Sequence, residues 1–147
     1  MTCLLFFFLA TAAASFTNCA STSHALPVHD LFADPPGIVA NNQPMTFRIQ
    51  FTVPSGTWVP YGQVEVKNTW NGIPMPVQRT DLATYIQTPL YPDLYTFEDN
   101  HVFPSGIWGR ISTEINVYNA SGSQLLCARW IVFSTGTNKN ETGWLFS

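Results

Sequence analysis

The three cysteines are the residues whose chemistry the sequence constrains most. Cys3 lies in an apolar leader, whereas Cys19 and Cys127 stand near the two ends of the segment that can fold. Thiols in an oxidising compartment pair, and closing a loop of about 100 residues stabilises a fold by about 4.7 kcal/mol in the chain-entropy model. We therefore expect a Cys19–Cys127 disulfide. The alternative is two unpaired buried thiols.

The other reactive side chains form no catalytic or metal-binding pattern in the sequence. His24 and His29 are five residues apart, so on one strand they point to opposite faces, whereas two metal ligands on a strand need an even spacing. Glu98 and Asp99 are adjacent and also face apart, which disfavours a paired acid and base. The nucleophile-elbow motif Gly-x-Ser-x-Gly does not occur. We expect no enzyme, no metal site and no cofactor.

The first 15 residues have the pattern of a secretory signal peptide. An unbroken apolar run at residues 4–10 closes on small residues at 11–15, although Lys and Arg are missing from its start. Cleavage near Ala14 or Ser15 leaves Cys19 in the mature chain. The alternative is a buried N-terminal strand or a short anchor.

Two further motifs agree with secretion. Asn119-Ala-Ser121 and Asn140-Glu-Thr142 are both acceptor sequences for N-glycosylation. We expect modification at Asn119 and Asn140, and a location outside the cell or in the lumen of the endolysosomal pathway.

Length and composition predict one all-β domain. About 130 residues follow the leader, enough for a single core. Only 10% of residues are charged, so few amphipathic helices can form, and the net charge of −3 lacks the clustered cations that nucleic acid requires. The expected organisation is a signal peptide at 1–15, a domain at 16–134 and a loose tail at 135–147.

The predicted strands are short and are separated by Pro and Gly turns. Residues 45–53 alternate apolar and polar side chains with a period of two, and Asn71-Gly72 supplies a two-residue hairpin turn. Pro74 and Pro76 then share parity, so the N–H groups that both lack would point to one side, which predicts a sheet edge. Seven or so such strands predict an immunoglobulin-like two-sheet β-sandwich.

Twelve apolar residues fall on the predicted inward faces of the two sheets. They are Phe47, Ile49, Phe51, Val64, Val66, Ile73, Met75, Tyr95, Phe97, Ile115, Val117 and Trp130. By themselves they predict an interdigitated, filled core. If the sheets part along the proline-bearing edge, the same surface lines a slot, where each CH₂ removed from water contributes about 0.8 kcal/mol.

Four pieces of sequence, taken in order, form a wider pattern. They are the strands at 46–51 and 62–66, the segment Asp81-Leu-Ala83…Thr88-Pro-Leu90, the turn Pro104-Ser-Gly106-Ile-Trp108, and Leu126-Cys127. Their order and spacing resemble the ML, or lipid-recognition, domain family. In that family a cysteine equivalent to Cys127 pairs with one near the mature N-terminus, here Cys19. The family's second, short disulfide would join the positions of Ala83 and Thr88, and its loss removes only about 2 kcal/mol.

The resemblance implies a cavity between the sheets and a function. Family members hold a lipid there, so the resemblance implies a secreted or endolysosomal lipid-binding or transfer protein whose twelve inward residues contact one sterol, fatty acid or phospholipid. Transient contact with a membrane or a receptor is also implied. Candidates by position for head-group contact are Arg79, Tyr85, Tyr91 and His101, with ordinary surface residues as the alternative. The rival function is an immunoglobulin-like interaction or adhesion module with a filled core and no ligand.

Overall fold

The computed structural model describes residues 15–138, which form ten strands and one short 3₁₀ turn. The strands are β1 (Ser15–Asn18), β2 (Val28–Asp34), β3 (Ile38–Asn41), β4 (Pro44–Val53), β5 (Gly62–Trp70), β6 (Ile73–Pro74), β7 (Gln78–Asp81), β8 (Asp93–Val102), β9 (Trp108–Asn119) and β10 (Gln124–Asn138), and the 3₁₀ turn is Leu82–Thr84. No helix within these residues is long and apolar enough to cross a membrane.

The strands form two sheets that face one another. The larger sheet has the order β1-β10-β9-β5-β6, with β3 also paired to β10 and β7 also paired to β5, and the smaller sheet has the order β2-β4-β8. Every pairing is antiparallel except that of β3 with β10. The predicted fold class, an all-β two-sheet sandwich of the immunoglobulin type, is therefore confirmed.

Alternation of apolar and polar residues places each strand between core and solvent. Along β4, Met45, Phe47, Ile49, Phe51 and Val53 are all buried, and the residues between them are half-buried or exposed. Because side chains alternate across a strand, this single pattern fixes which face of the smaller sheet meets the larger one.

Aromatic rings pack together on one side of the core, where a disulfide also joins two segments of the chain. Phe47 meets Trp130 edge to face, and Phe16 of β1 stacks on Trp130 with ring centroids 5.9 Å apart. Next to this cluster, the predicted Cys19–Cys127 disulfide is present and joins the segment after β1 to β10. The chain just after β1 is also held by the Cys19 N–H, which donates to the Cys127 carbonyl at 3.0 Å.

The predicted hairpin and sheet edge are both present, but the returning strand differs from the prediction. Asn71 and Gly72 adopt positive φ values of 49° and 84°, as the two-residue turn requires. In the sequence Ile73, Met75 and Val77 share parity, which predicts one strand with all three side chains facing inward. Instead Ile73 is 64% exposed, because it lies beside the turn at the end of the larger sheet. Val77 is exposed as well.

Two other segments also differ from the sequence prediction or fall outside it. Residues 80–92 show little periodicity in the sequence, which is typical of a loop, but β7 and the 3₁₀ turn extend into them. β10 continues to Asn138, so its last residues fall within the segment predicted as a tail. The predicted signal peptide, apart from Ser15 in β1, and Asn140 lie outside the described residues.

Candidate ligand site between the sheets

A cavity opens between the two sheets at the edge that carries the prolines. It has a volume of about 210 Å³ and lies where β5 and the 75–78 segment of the larger sheet face β8 of the smaller one. Its lining residues are Asn68, Met75, Gln78, His101, Val102, Phe103, Pro104, Ile107 and Ile111.

The opening follows from the local chain path beside β5. β6 pairs with β5 as far as Thr69 opposite Pro74, and β7 resumes the pairing at Val66 opposite Gln78. Two residues of β5 therefore face three residues, 75–77, on the returning chain, which is the arrangement of a β-bulge. Across this bulge the Met75 N–H donates to the Asn68 carbonyl at 2.9 Å. Pro76, without an N–H, adds no ladder bond.

Several polar groups lie on the inner faces of the sheets near this edge. On β5 the buried Asn68 side-chain carbonyl accepts a hydrogen bond from the Thr113 hydroxyl at 2.6 Å. On β8, Asp99 and His101 share parity with the buried Phe97 and are half-buried themselves. The inner surface thus changes from apolar to polar toward the mouth, as a site for an amphipathic ligand requires.

Burial shifts the proton affinities of these inward groups. Burial lowers the pKa of His101, and the nearby Asp99 carboxylate offsets part of that effect. Burial likewise raises the pKa of Asp99, with His101 and a hydrogen bond from the Asn100 backbone acting in the opposite direction. The pKa of Tyr85 is raised, first by burial and then by the charge of Asp99. Each shift favours the uncharged form of the side chain between the sheets.

Ten of the twelve predicted lining residues lie between the sheets. Nine of them are buried and Tyr95 is half-buried against the same core. Phe47 and Trp130 belong to the filled aromatic cluster and do not line the cavity. The expected inward position of Ile73 is wrong, as described above, and Met75 lies at the mouth, 39% exposed, where it lines the cavity. Contact of these residues with a lipid stays a prediction.

The four residues predicted by position at the rim have different environments. His101 lines the cavity. Tyr85 packs on Phe97 with ring centroids 4.7 Å apart, deeper along the same edge. Arg79 instead forms an ion pair with Glu65 at 2.7 Å, and its register position opposite Glu65 puts it on the outer face. Tyr91 is exposed in the loop before β8, at the other end of the sandwich.

Several cavity residues were not identified from the sequence. Ile111 shares parity with Ile115 and Val117 on β9, so the alternation that identified those two also indicates Ile111. Val102, Phe103 and Ile107 come from the end of β8 and the turn after it, where no periodicity marks an inward residue.

The described residues contain one cluster with the ligand types of a metal site. Its members are Cys19, Cys127 and Glu114. The two sulfur atoms are bonded to each other in the disulfide and are not available as thiolate ligands. The Glu114 carboxylate forms an ion pair with Arg129 at 2.7 Å, so its negative charge is already balanced by the guanidinium group. The cluster is therefore structural.

The fold belongs to a known class of two-sheet sandwich. A Niemann-Pick type C2 protein from Japanese carpenter ant superposes with a TM-score of 0.63 at 11% identity, over 82% of this chain and 99% of that one. Chicken MD-1, solved in complex with lipid IVa, gives a TM-score of 0.54 at 11% identity, over 82% of this chain and 88% of that one. The C-terminal domain of wzt gives 0.53 at 13% identity, over 83% and 78%.

These likenesses show a shared fold, which by itself does not determine function. A scan against protein-family models and a search of curated proteins each find no match. The resemblance to the ML family is therefore supported at the level of the fold, and chicken MD-1 shows that a sandwich of this shape is found in complex with a lipid.

Proposed function

We propose that this protein binds one lipid, with the apolar part of the lipid between the two sheets and the polar part at the proline-bearing edge. This is the edge where residues 75–78 of the larger sheet face β8 of the smaller one, and we call it the β7–β8 edge. It acts by sequestration and transfer, without covalent chemistry or a cofactor. The location is extracellular or in the endolysosomal lumen, where an oxidising environment maintains the disulfide between Cys19 and Cys127.

The observation that carries this proposal is the cavity at the open edge. Its walls are mostly apolar, contributed by Met75, Val102, Phe103, Ile107 and Ile111. A cavity of about 210 Å³ is smaller than the ~300–1,000 Å³ of typical small-molecule sites, so it accepts only part of an acyl chain or sterol. A complete lipid requires the sheets to move apart along this edge.

The physical basis of such an opening is the weak pairing of the edge. β6 and β7 contribute short stretches of ladder on one side of the mouth, and β8 is the outer strand of its sheet on the other. Separation there exposes Val66 and Phe97, which lie on the inner faces next to the mouth. Each lipid CH₂ that covers such surface contributes about 0.8 kcal/mol, which offsets the lost contacts between the sheets.

The polar groups at the mouth restrict the head group. Among the described residues that line the cavity, Asn68, Gln78 and His101 are the polar ones, and none is Lys or Arg. A phosphate needs cationic partners or several N–H donors, whereas a hydroxyl or a protonated carboxyl group needs one or two hydrogen bonds. We therefore favour a sterol or a fatty acid over a phospholipid.

The test is to measure the lipid bound to the protein after its secretion from eukaryotic cells. Extraction with organic solvent and mass spectrometry should release about one lipid per protein chain. A matched sample of an unrelated secreted immunoglobulin-like domain, purified in the same way, controls for carried-over lipid. Empty protein that also takes up no added sterol, fatty acid or phospholipid contradicts the proposal.

A second candidate function, an interaction module with a dry core, is favoured by the opposite side of the sandwich. There Phe16 and Phe47 both pack against Trp130, and Phe47 and Trp130 are buried. The same extraction separates the two, because an interaction module contains no stoichiometric lipid.

A further inference from the structure

A second concave surface lies at the other end of the sandwich from the Asn71-Gly72 hairpin. It is a cleft of about 430 Å³ between the loop before β5 and the β9–β10 hairpin. Leu26, Val59 and Leu125 are buried beneath it, and Pro54, Trp58 and Pro60 form one wall. Ser23, His24, Thr57, Asn119 and Ser121 supply its polar groups.

The aromatic wall of this cleft is held in place by backbone hydrogen bonds. Val59 and Leu90 exchange two of them, at 2.9 and 2.8 Å, and Val59 is buried. Because neighbouring side chains on an extended segment alternate, a buried Val59 directs Trp58 outward. Trp58 is 60% exposed, so an indole face is presented to solvent beside a pocket rather than used in the core.

The opposite wall contains an N-glycosylation acceptor in a defined orientation. The side-chain carbonyl oxygen of Asn119 accepts hydrogen bonds from the Ser121 N–H, the Ser121 hydroxyl and the Ser123 N–H, at 3.0, 2.8 and 2.9 Å. These three hydrogen bonds hold the side-chain amide of Asn119 in one orientation through its oxygen atom. The nitrogen Nδ2, the atom that N-glycosylation modifies, lies on the other side of the amide group from them.

We propose that Asn119 carries an N-linked glycan whose first sugars lie in this cleft, with one sugar face against Trp58. In the modification Nδ2 loses a proton and bonds to C1 of the first sugar, while the bond from C1 to the diphosphate of a lipid-linked oligosaccharide donor breaks. The inference rests on the secreted location in the proposed function, and is independent of whether lipid is bound.

The chemistry of the cleft matches that of a sugar. A pyranose ring has apolar C–H faces, which pack on the electron-rich face of an indole, and hydroxyl groups at its edge, which accept and donate hydrogen bonds. Trp58 and Pro60 supply the first kind of surface, and Thr57 and His24 the second. Since Asn119 itself lines the cleft, the attached sugar is present at high effective concentration.

The experiment compares two variants of the chain secreted from eukaryotic cells. Ser121→Thr keeps the acceptor motif and its hydroxyl, whereas Ser121→Ala removes the motif. Both are treated with a tryptophan-selective oxidant, and peptide mass spectrometry measures glycan occupancy at Asn119 and the oxidation rates of Trp58 and Trp108. Trp108, 61% exposed at the opposite end, is the internal control.

We expect Asn119 to be occupied in Ser121→Thr and Trp58 to oxidise about twofold or more slowly there than in Ser121→Ala, because a sugar covers one of the two ring faces. The Trp108 rates should agree in both variants. Enzymatic trimming of the glycan in unsubstituted protein should give the same change without altering the turn. An unoccupied Asn119, or equal Trp58 rates in all samples, overturns the inference. Lipid content is measured separately in the same preparations, so its loss or retention tests only the lipid proposal.

Discussion

The space between the sheets consists of two regions that pack differently, although the strands around both follow one alternating pattern. On the β1–β10 side, large aromatic residues meet and a disulfide joins the chain to the strand beside them. On the β7–β8 side, β5 is flanked by a bulged, proline-containing segment, and Asn68, Asp99 and His101 interrupt the apolar surface. Alternation selects the inner face of a strand. What occupies that face, and what borders it, decides whether the region is filled or open.

The comparison also shows why a stable protein tolerates an open edge. The filled region contains Phe47 and Trp130, two of the largest fully buried side chains, and the disulfide, so strong stabilising contacts are present away from the mouth. Local opening free energies differ across a fold, and the regions that bind ligands are drawn from the less stable part. The predictions below test this division.

The largest effect is expected from removing the disulfide on the filled side. The double substitution Cys19→Ser with Cys127→Ser should lower the free energy of unfolding by about 4.7 kcal/mol, because the unfolded chain regains the entropy of a loop of about 100 residues. Urea unfolding followed by tryptophan fluorescence measures the change. A loss below about 1 kcal/mol would show that the filled side does not depend on the covalent link.

The second prediction compares one phenylalanine from each region. Phe47→Ala should cost about 3–5 kcal/mol, since it leaves a hole in the aromatic cluster that cannot collapse. Phe103→Ala at the cavity wall should cost less than about 3 kcal/mol, because that side chain already borders empty space and packs on His101. The same unfolding measurement applies to both. Equal costs would contradict the division into two regions.

Phe103→Ala also makes a second, independent measurement possible. The substitution enlarges the cavity, so uptake of a fluorescent fatty acid should be retained or increased even though the protein is less stable. Phe47→Ala lies outside the cavity and serves as the matched control, with unchanged uptake per folded molecule.

Much of the fold could be predicted because it depends on local sequence. The alternation along residues 45–53, the Asn71-Gly72 turn and the proline-bearing edge each follow from residue type and spacing, and each is present. The pairing of Cys19 with Cys127 followed from their position near the two ends of the folded segment.

The cavity could not be predicted to the same extent because it depends on how one sheet is offset from the other. Periodicity assigned Ile73 to the core, but the end of the larger sheet leaves it exposed. It also gave no reason to separate Phe47, which packs against Trp130, from Phe103, which borders empty space. Which side chains face each other across two layers is a property of the three-dimensional packing and is not contained in the pattern of any one strand.

The third prediction tests the open edge through two neighbouring apolar residues of similar exposure. Met75 lines the cavity at 39% exposure, and Val77 on the same segment is 42% exposed and does not line it. Met75→Trp should block the mouth and weaken fatty-acid binding by about tenfold, which corresponds to about 1.4 kcal/mol. Val77→Trp should bind like the unsubstituted protein. Titration with a fluorescent fatty acid measures both, and equal affinities in the two variants would place the ligand elsewhere.

The smallest effect concerns pH and the polar groups of the open edge. Burial lowers the pKa of His101 in the folded protein, so in the range near and below its ordinary value of 6.5 the unfolded chain binds more protons at this residue. The contribution of His101 to stability is therefore present at neutral pH and declines as the pH falls. The contribution of Asp99 to stability has the opposite sign. Burial raises the pKa of Asp99, so its protonation at lower pH relieves its desolvation in the folded state.

The measurement is the free energy of unfolding between about pH 7 and pH 5. His101→Gln should show a smaller decline over this range than the unsubstituted protein, because the substitution removes the proton uptake of the unfolded chain at that site. Asp99→Asn should show a decline at least as large, because it removes the opposing group. A pH dependence that neither substitution changes would mean that the titrating groups of this edge are as well solvated in the folded protein as in the unfolded chain, and that the sheets are already apart there.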